Sequence, residues 1–105
     1  MNTEEFVKAF HTEKQNFLKE YLSENSKTEV GQLIQSLNLT DKQNGIMERI
    51  INNTLTDIFY TILLGLDGCA SIGGIQEIYD LKDQNGNQLS GEIEGYAYEF
   101  FHESE

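Results

Sequence analysis

Apolar residues recur every three or four positions through the first 66 residues, and this spacing is typical of one face of an α-helix. The pattern predicts three helices, over residues 3–23, 27–38 and 41–66. The third has the most continuous apolar stripe, although Asn52, Asn53 and Thr54 are poor helix formers where a kink could occur. Residues 61–66 are apolar on most sides, which predicts the most buried segment of the chain.

Polar residues that can cap a helix stand before each of these segments. Their side chains accept hydrogen bonds from the free N–H groups of the first turn. A capping box is expected where a Glu or Gln follows three residues later. The predicted caps are Asn2 or Thr3, then Ser26 with Glu29, and then Thr40 with Gln43.

The last third of the chain shows a different pattern. Residues 77–90 predict a β-hairpin around Asn85 and Gly86. A two-residue turn would mix the two faces of this hairpin, whereas a three-residue loop over 84–86 places Leu81 opposite Leu89. We favour the second register. Residues 91–102 return to helical spacing, with Ser90 as the expected cap. The fold class predicted is therefore α+β and mainly α, in a single domain over residues 1–105.

Acidic residues dominate the second half of the chain. The protein has 18 Asp and Glu against 7 Lys and Arg, and its formal net charge is −11. Only Lys82 is basic after residue 60, so residues 61–105 carry a net charge of −8. Binding to a nucleic-acid backbone needs a basic surface, and anionic lipid also repels such a chain. A basic protein partner is favoured instead, since opposite charges speed encounter.

The residues that usually carry catalysis or bind metal are few and scattered. Cys69 is the only thiol, and the two histidines are His11 and His102. Their spacing matches neither a zinc site nor a nucleophilic motif, so no catalytic residue, no metal site and no cofactor is predicted. The first residues lack the basic start and apolar run of a signal peptide, and no segment is apolar enough to span a membrane. A cytoplasmic protein that is not an enzyme is expected.

Tyrosines among carboxylates are the best candidates for contacting a basic partner. Tyr79 and Tyr98 fit the apolar stripes least well, so they are expected to be exposed. An exposed aromatic ring surrounded by charges is a common anchor in protein interfaces. The predicted partner-binding residues are Tyr79, Asp80, Asp83, Glu92, Glu94, Tyr98 and Glu99.

Short stretches between residues 62 and 102 resemble a group of small bacterial proteins. They are residues 62–68 (Ile-Leu-Leu-Gly-Leu-Asp-Gly), 79–83 (Tyr-Asp-Leu-Lys-Asp), 85–87 (Asn-Gly-Asn) and 100–103 (Phe-Phe-His-Glu). This pattern is similar to that of small, acidic, uncharacterised bacterial proteins of the toxin-immunity kind. The resemblance implies a protein that neutralises a toxin, and it implies no catalytic residues.

The sequence leads to one main function and two alternatives. The main reading is an immunity-type inhibitor that blocks a basic, nuclease-like toxin by covering it. A small enzyme or ligand-binding protein that uses the loop from Asp67 to Gly74 is the first alternative. A structural or adaptor subunit that self-associates through the hairpin edge is the second. The oligomeric state stays open at this level.

Overall fold

The computed structural model describes residues 1–103 as a helical fold. Three N-terminal helices are followed by a long loop, a short helix and one π-helical turn. We name the helices α1 (Thr3–Tyr21), α2 (Glu29–Ser36), α3 (Asp41–Leu66) and α4 (Ile93–Tyr98), and the last element the terminal π-helix (Glu99–Glu103).

Two of the three predicted helix starts have the expected caps. Asn2 accepts a hydrogen bond from the N–H of Glu5, and the Glu5 side chain accepts one from the Asn2 N–H. Thr40 and Gln43 form the same reciprocal pair at the start of α3. The capping box predicted from Ser26 is wrong, because Thr28 is the residue that caps α2. α3 then runs without interruption over its predicted range.

The core lies where α1, the second half of α3, α4 and the terminal π-helix meet. α1 lies antiparallel to α3, since Phe10 meets Phe59 at a ring distance of 6.1 Å while Leu18 and Arg49 line one cavity further along. The fully buried apolar cluster is small and consists of Val7, Leu63, Ile93, Ala97 and Phe101. Packing is therefore concentrated at one end of α3, and this end also positions the acidic loop.

The predicted β-hairpin over residues 77–90 is wrong, and so is the α+β fold class. Residues 1–103 contain no strand, and the isolated antiparallel bridges in that range are two, Ile72 to Ile75 and Lys82 to Gln88. Backbone bonds supply part of the pairing, because the Leu89 N–H donates to the Leu81 carbonyl at 2.8 Å and the Asp83 N–H to the Asn87 carbonyl at 3.0 Å, and side chains supply the rest. The hydroxyl of Ser90 accepts the Leu81 N–H at 2.9 Å and donates to the Tyr79 carbonyl at 2.6 Å. The segment closes as a loop because its backbone groups are satisfied in this way.

The last helix is shorter than the sequence predicts and is capped from elsewhere. It begins at Ile93, and the side chain of its N-cap residue Glu92 makes no capping hydrogen bond. The Ser90 hydroxyl is hydrogen-bonded within the loop, so the predicted Ser90 cap of the last helix is wrong. Asp67, at the end of α3, instead accepts the Glu94 N–H at 2.9 Å. One carboxylate thus ties the end of α3 to the start of α4.

The molecule is elongated along α3. Its principal extents are 47 × 29 × 25 Å and its radius of gyration is 16.1 Å, against about 13 Å for a compact chain of this length. A helix of 26 residues is about 39 Å long. α3 therefore runs through most of the long dimension, and much of its flank is uncovered.

Candidate partner-binding surface

Carboxylates gather around the C-terminal end of α3. We call this region the acidic end and define it as residues 67–94, with the carboxylates of Asp67, Glu77, Asp80, Asp83, Glu92 and Glu94. Asp67 accepts hydrogen bonds from the N–H of Gly91 at 2.6 Å and from the N–H of Glu94 at 2.9 Å. These two bonds hold the closing part of the loop against α3.

The first part of the loop is held by close packing against glycines. A Cβ atom at Gly65 would lie 2.4 Å from a side-chain carbon of Ile72, and one at Gly68 would lie 2.8 Å from Ile78. Gly68 also has a positive φ of 77°, which side chains other than glycine rarely adopt. The loop can therefore approach α3 closely only because both positions lack a side chain.

Asp83 is a structural residue of the tight turn. Its carboxylate accepts the N–H groups of Asn85 and Asn87 and the amide of the Asn87 side chain, each at 2.9 Å. The ammonium group of Met1 lies 3.3 Å away. The bond from the Asn87 side chain, followed by the backbone bonds, lowers the pKa of Asp83 to about 2. Of the predicted partner-binding residues, Asp83 is thus already occupied within the fold.

Glu94 is occupied in a similar way, by the single thiol. Cys69 is exposed and donates to a Glu94 oxygen at 3.0 Å. This hydrogen bond, ahead of partial desolvation and the charges of Glu94 and Asp67, raises the pKa of Cys69 to about 11. The thiol is therefore protonated at neutral pH, and a protonated thiol is a poor nucleophile.

Three aromatic rings, one each from α3, α4 and the terminal π-helix, pack together. The Tyr60 ring meets the His102 ring edge-on at 4.4 Å, and Tyr98 lies 5.7 Å from the same ring. Burial, followed by the charge of Glu94, raises the pKa of Tyr60. Asp67 accepts hydrogen bonds from backbone groups, whereas the His102 ring lies against Tyr60 and Tyr98.

The remaining predicted residues are exposed. Tyr79 and Tyr98 are exposed, as are Asp80 and Glu92. Asp80 forms an exposed ion pair of 3.4 Å with Lys82, and such pairs contribute little stability. Tyr79 and Glu92 lie on adjacent parts of the loop because Ser90 binds the Tyr79 carbonyl. Glu99 is exposed at the start of the terminal π-helix and has a contact of its own.

The exposed isoleucines next to the carboxylates were not predicted from the sequence as part of this surface. Ile72, Ile75 and Ile78 lie in the loop with exposed fractions of 38, 60 and 85%. Their position beside an acidic region could have been noticed from the printed order of residues, because Ile75 and Ile78 flank Glu77.

Across residues 1–103, no three His, Cys, Asp or Glu side chains come together in a way that could hold a metal ion. Within the same range, no helix combines the length and apolar content needed to cross a bilayer. An open groove of about 300 Å³ between α1 and α3 is lined by Ala9, Phe10, Glu13, Phe17 and Phe59.

Comparison with protein-family models, with curated proteins and with solved structures yields no match to this chain. What the chain does is therefore inferred from the chemistry of its own surface.

Proposed function

We propose that this chain is a small protein-binding module that neutralises a basic partner by covering it. Most concretely, it is an immunity-type inhibitor of a nuclease-like toxin, acting in the cytoplasm and not as an enzyme. The observation that carries this proposal is the acidic end, where exposed carboxylates and Tyr79 share one loop with exposed isoleucines. Interfaces commonly combine an apolar centre with a polar rim.

The carboxylates of the acidic end divide into two groups. Asp67, Asp83 and Glu94 hold the loop through hydrogen bonds. Glu77, Asp80 and Glu92 extend from it into solvent. The second group is available to Lys and Arg side chains of a partner, and the first group fixes the backbone that presents it. A preformed surface of this kind loses little conformational freedom on binding.

Long-range attraction supports the same mechanism. The net charge of −11 would steer a basic protein toward this chain, and the effect is strongest at low salt. A nuclease must present basic groups to its phosphate substrate. A partner docked on the acidic end would have those groups covered, so inhibition follows from occlusion.

The test is capture of binding proteins on the tagged full chain, at low and at high salt, from its native lysate and after co-expression with the product of the neighbouring gene. The variant is Asp80→Lys with Glu92→Lys, two exposed positions that hold no other part of the fold together. The matched control is Glu24→Lys with Glu48→Lys, which changes the net charge equally but lies near the opposite end of α3.

We expect a stoichiometric basic protein that high salt releases, that the control retains and that the acidic-end variant loses. Association with the purified partner should slow about tenfold or more at low salt for the acidic-end variant. Equal binding by both variants, or a retained partner that is acidic, would contradict the proposal.

A further inference from the structure

α3 has a second apolar face on the side away from the core. Successive residues of a helix are about 100° apart, which places six apolar residues within an arc of about 140°. We call this the outer face; it consists of Met47, Ile50, Ile51, Leu55, Ile58 and Ile62. The core side of the same helix is marked by the buried residues Thr56 and Leu63.

The outer face is accessible along its whole length. Ile50, Ile58 and Ile62 have exposed fractions of 52, 51 and 39%, and Met47, Ile51 and Leu55 are half-buried. At its C-terminal end it continues into the loop, because Ile72 packs over Gly65. Isolated exposed apolar residues are normal, but a continuous strip of this size is typical of an interaction surface.

The outer face carries no charge in a strongly charged protein. α3 contains five charged residues, and by helical geometry all five lie outside the arc. They are Asp41, Lys42, Glu48, Arg49 and Asp57. A basic partner would find no carboxylate within this face to pair with. A second copy, which is repelled by the acidic end, would meet no like charge here.

We propose that two copies of this chain associate through the outer face, with their α3 helices side by side and antiparallel. A two-fold axis brings the same surface of both copies together, so the surface must be complementary to itself. A charge-free strip whose polar members between Met47 and Ile62 are the hydroxyls of Thr54 and Thr61 meets that requirement without any pairing of charged groups.

The antiparallel direction follows from the position of the acidic end. A parallel pair would place two acidic ends next to each other. An antiparallel pair separates them by nearly the length of α3, about 39 Å, which is several screening lengths at physiological salt. Antiparallel helix dipoles add a small favourable contribution. The carboxylates of both acidic ends stay in solvent in this arrangement, although Ile72 and Ile75 of the loop adjoin the pairing surface.

The size of the outer face predicts weak pairing. A helix flank about 39 Å long and about 10 Å wide offers roughly 400 Å². Standard interfaces bury about 800 Å² on each partner, and only Ile72 and Ile75 of the adjoining loop extend the strip. We therefore expect a monomer–dimer dissociation constant in the micromolar range.

Sedimentation equilibrium of the full chain, from micromolar to millimolar concentration, tests the pairing. We expect the average mass to rise from that of one chain to that of two. The protein concentration at the midpoint of this rise should stay the same in 0.5 M NaCl, where the screening length is about 4 Å. Ile58→Lys should shift the midpoint upward about tenfold or more, because it would bury a charge. The control Asn53→Lys adds the same charge on the exposed polar side of α3 and should leave the midpoint unchanged.

A single-chain mass at every concentration, or an equal shift in both variants, would overturn the proposal. Ile50→Lys serves as a second variant, and helical circular dichroism shows whether each variant is folded.

The antiparallel direction of the two α3 helices is tested by spin labels on Lys42→Cys in a Cys69→Ser background. Antiparallel helices place the labelled positions roughly 35 Å apart, and a separation below about 20 Å would rule out this arrangement.

Discussion

Three side-chain oxygen groups organise the acidic end at the scale of single residues. Asp67 caps a helix that begins 26 positions later in the chain, Asp83 closes a turn, and Ser90 binds two backbone groups on the facing segment. Each satisfies N–H groups that would otherwise need a strand or a local cap. The loop is therefore shaped by a few short polar side chains more than by apolar packing.

The thiol of Cys69 should react slowly although it is exposed. Its pKa of about 11 leaves little thiolate at pH 7.5. Glu94→Gln removes the carboxylate that accepts the S–H and repels the thiolate, so we expect the pKa to fall and alkylation by iodoacetamide to become about tenfold faster or more. The measurement is the alkylation rate against pH, and Glu92→Gln is the control that should leave the rate unchanged.

Asp83 should make stability depend on acid pH. Its folded-state pKa of about 2 lies below its ordinary value of 3.8. Its contribution is therefore fully present above about pH 4 and is lost as the pH falls toward 2. Urea unfolding should show Asp83→Ala to be less stable than the parent at pH 6, with the difference shrinking toward pH 2. Asp80→Ala should show no comparable trend, and an equal trend in both would contradict this role.

Single-residue roles divide clearly into those the sequence could and could not predict. The Asn2 and Thr40 caps were predictable because the capping groups are three residues apart in the chain. The role of Asp67 was not, because its partner Glu94 is 27 residues away. The role of Asp83 was accessible locally but was not predicted, because Asp followed by Gly three residues later is the usual pattern of a turn in which the Asp side chain binds the N–H two residues on.

Helical elements follow from the sequence where a local pattern fixes them. The range of α3 was predicted because its apolar spacing is unbroken from Ile46 to Leu66. The run of Asn52, Asn53 and Thr54 does not interrupt the helix, because low propensity is a weak preference and the apolar spacing continues across the run to the buried residues Thr56 and Leu63. The hairpin prediction failed because alternation over 77–90 says nothing about whether a sheet is available, and a lone hairpin is marginal in water.

α3 should tolerate change very unevenly on its two sides. Leu63 is fully buried, so Leu63→Ala should lower the free energy of unfolding by about 3 kcal/mol. Its neighbour Ile62 is on the outer face, and Ile62→Ala should lower it by about 1 kcal/mol or less. Urea unfolding at low protein concentration measures both in the monomer. Equal losses would mean that the outer face is covered within one chain.

Charge acts at the scale of the whole molecule. A net charge of −11 on 105 residues repels itself, and this repulsion opposes folding. We expect the Tm to rise as NaCl increases from about 10 mM to about 0.2 M, because the screening length falls over this range. Glu77→Gln with Glu92→Gln removes two exposed charges and should weaken the salt dependence. A Tm that is independent of salt would show that the charges are too dispersed to matter.

The elongated shape described above has a hydrodynamic consequence. A chain whose principal extents are 47 × 29 × 25 Å experiences more friction in water than a sphere of equal mass. Its Stokes radius is correspondingly larger, and it diffuses more slowly than its molecular weight suggests. Two such rods lying side by side have a lower axial ratio than one rod alone. Doubling the mass by antiparallel pairing would thus raise the Stokes radius less than doubling the mass of a rod end to end.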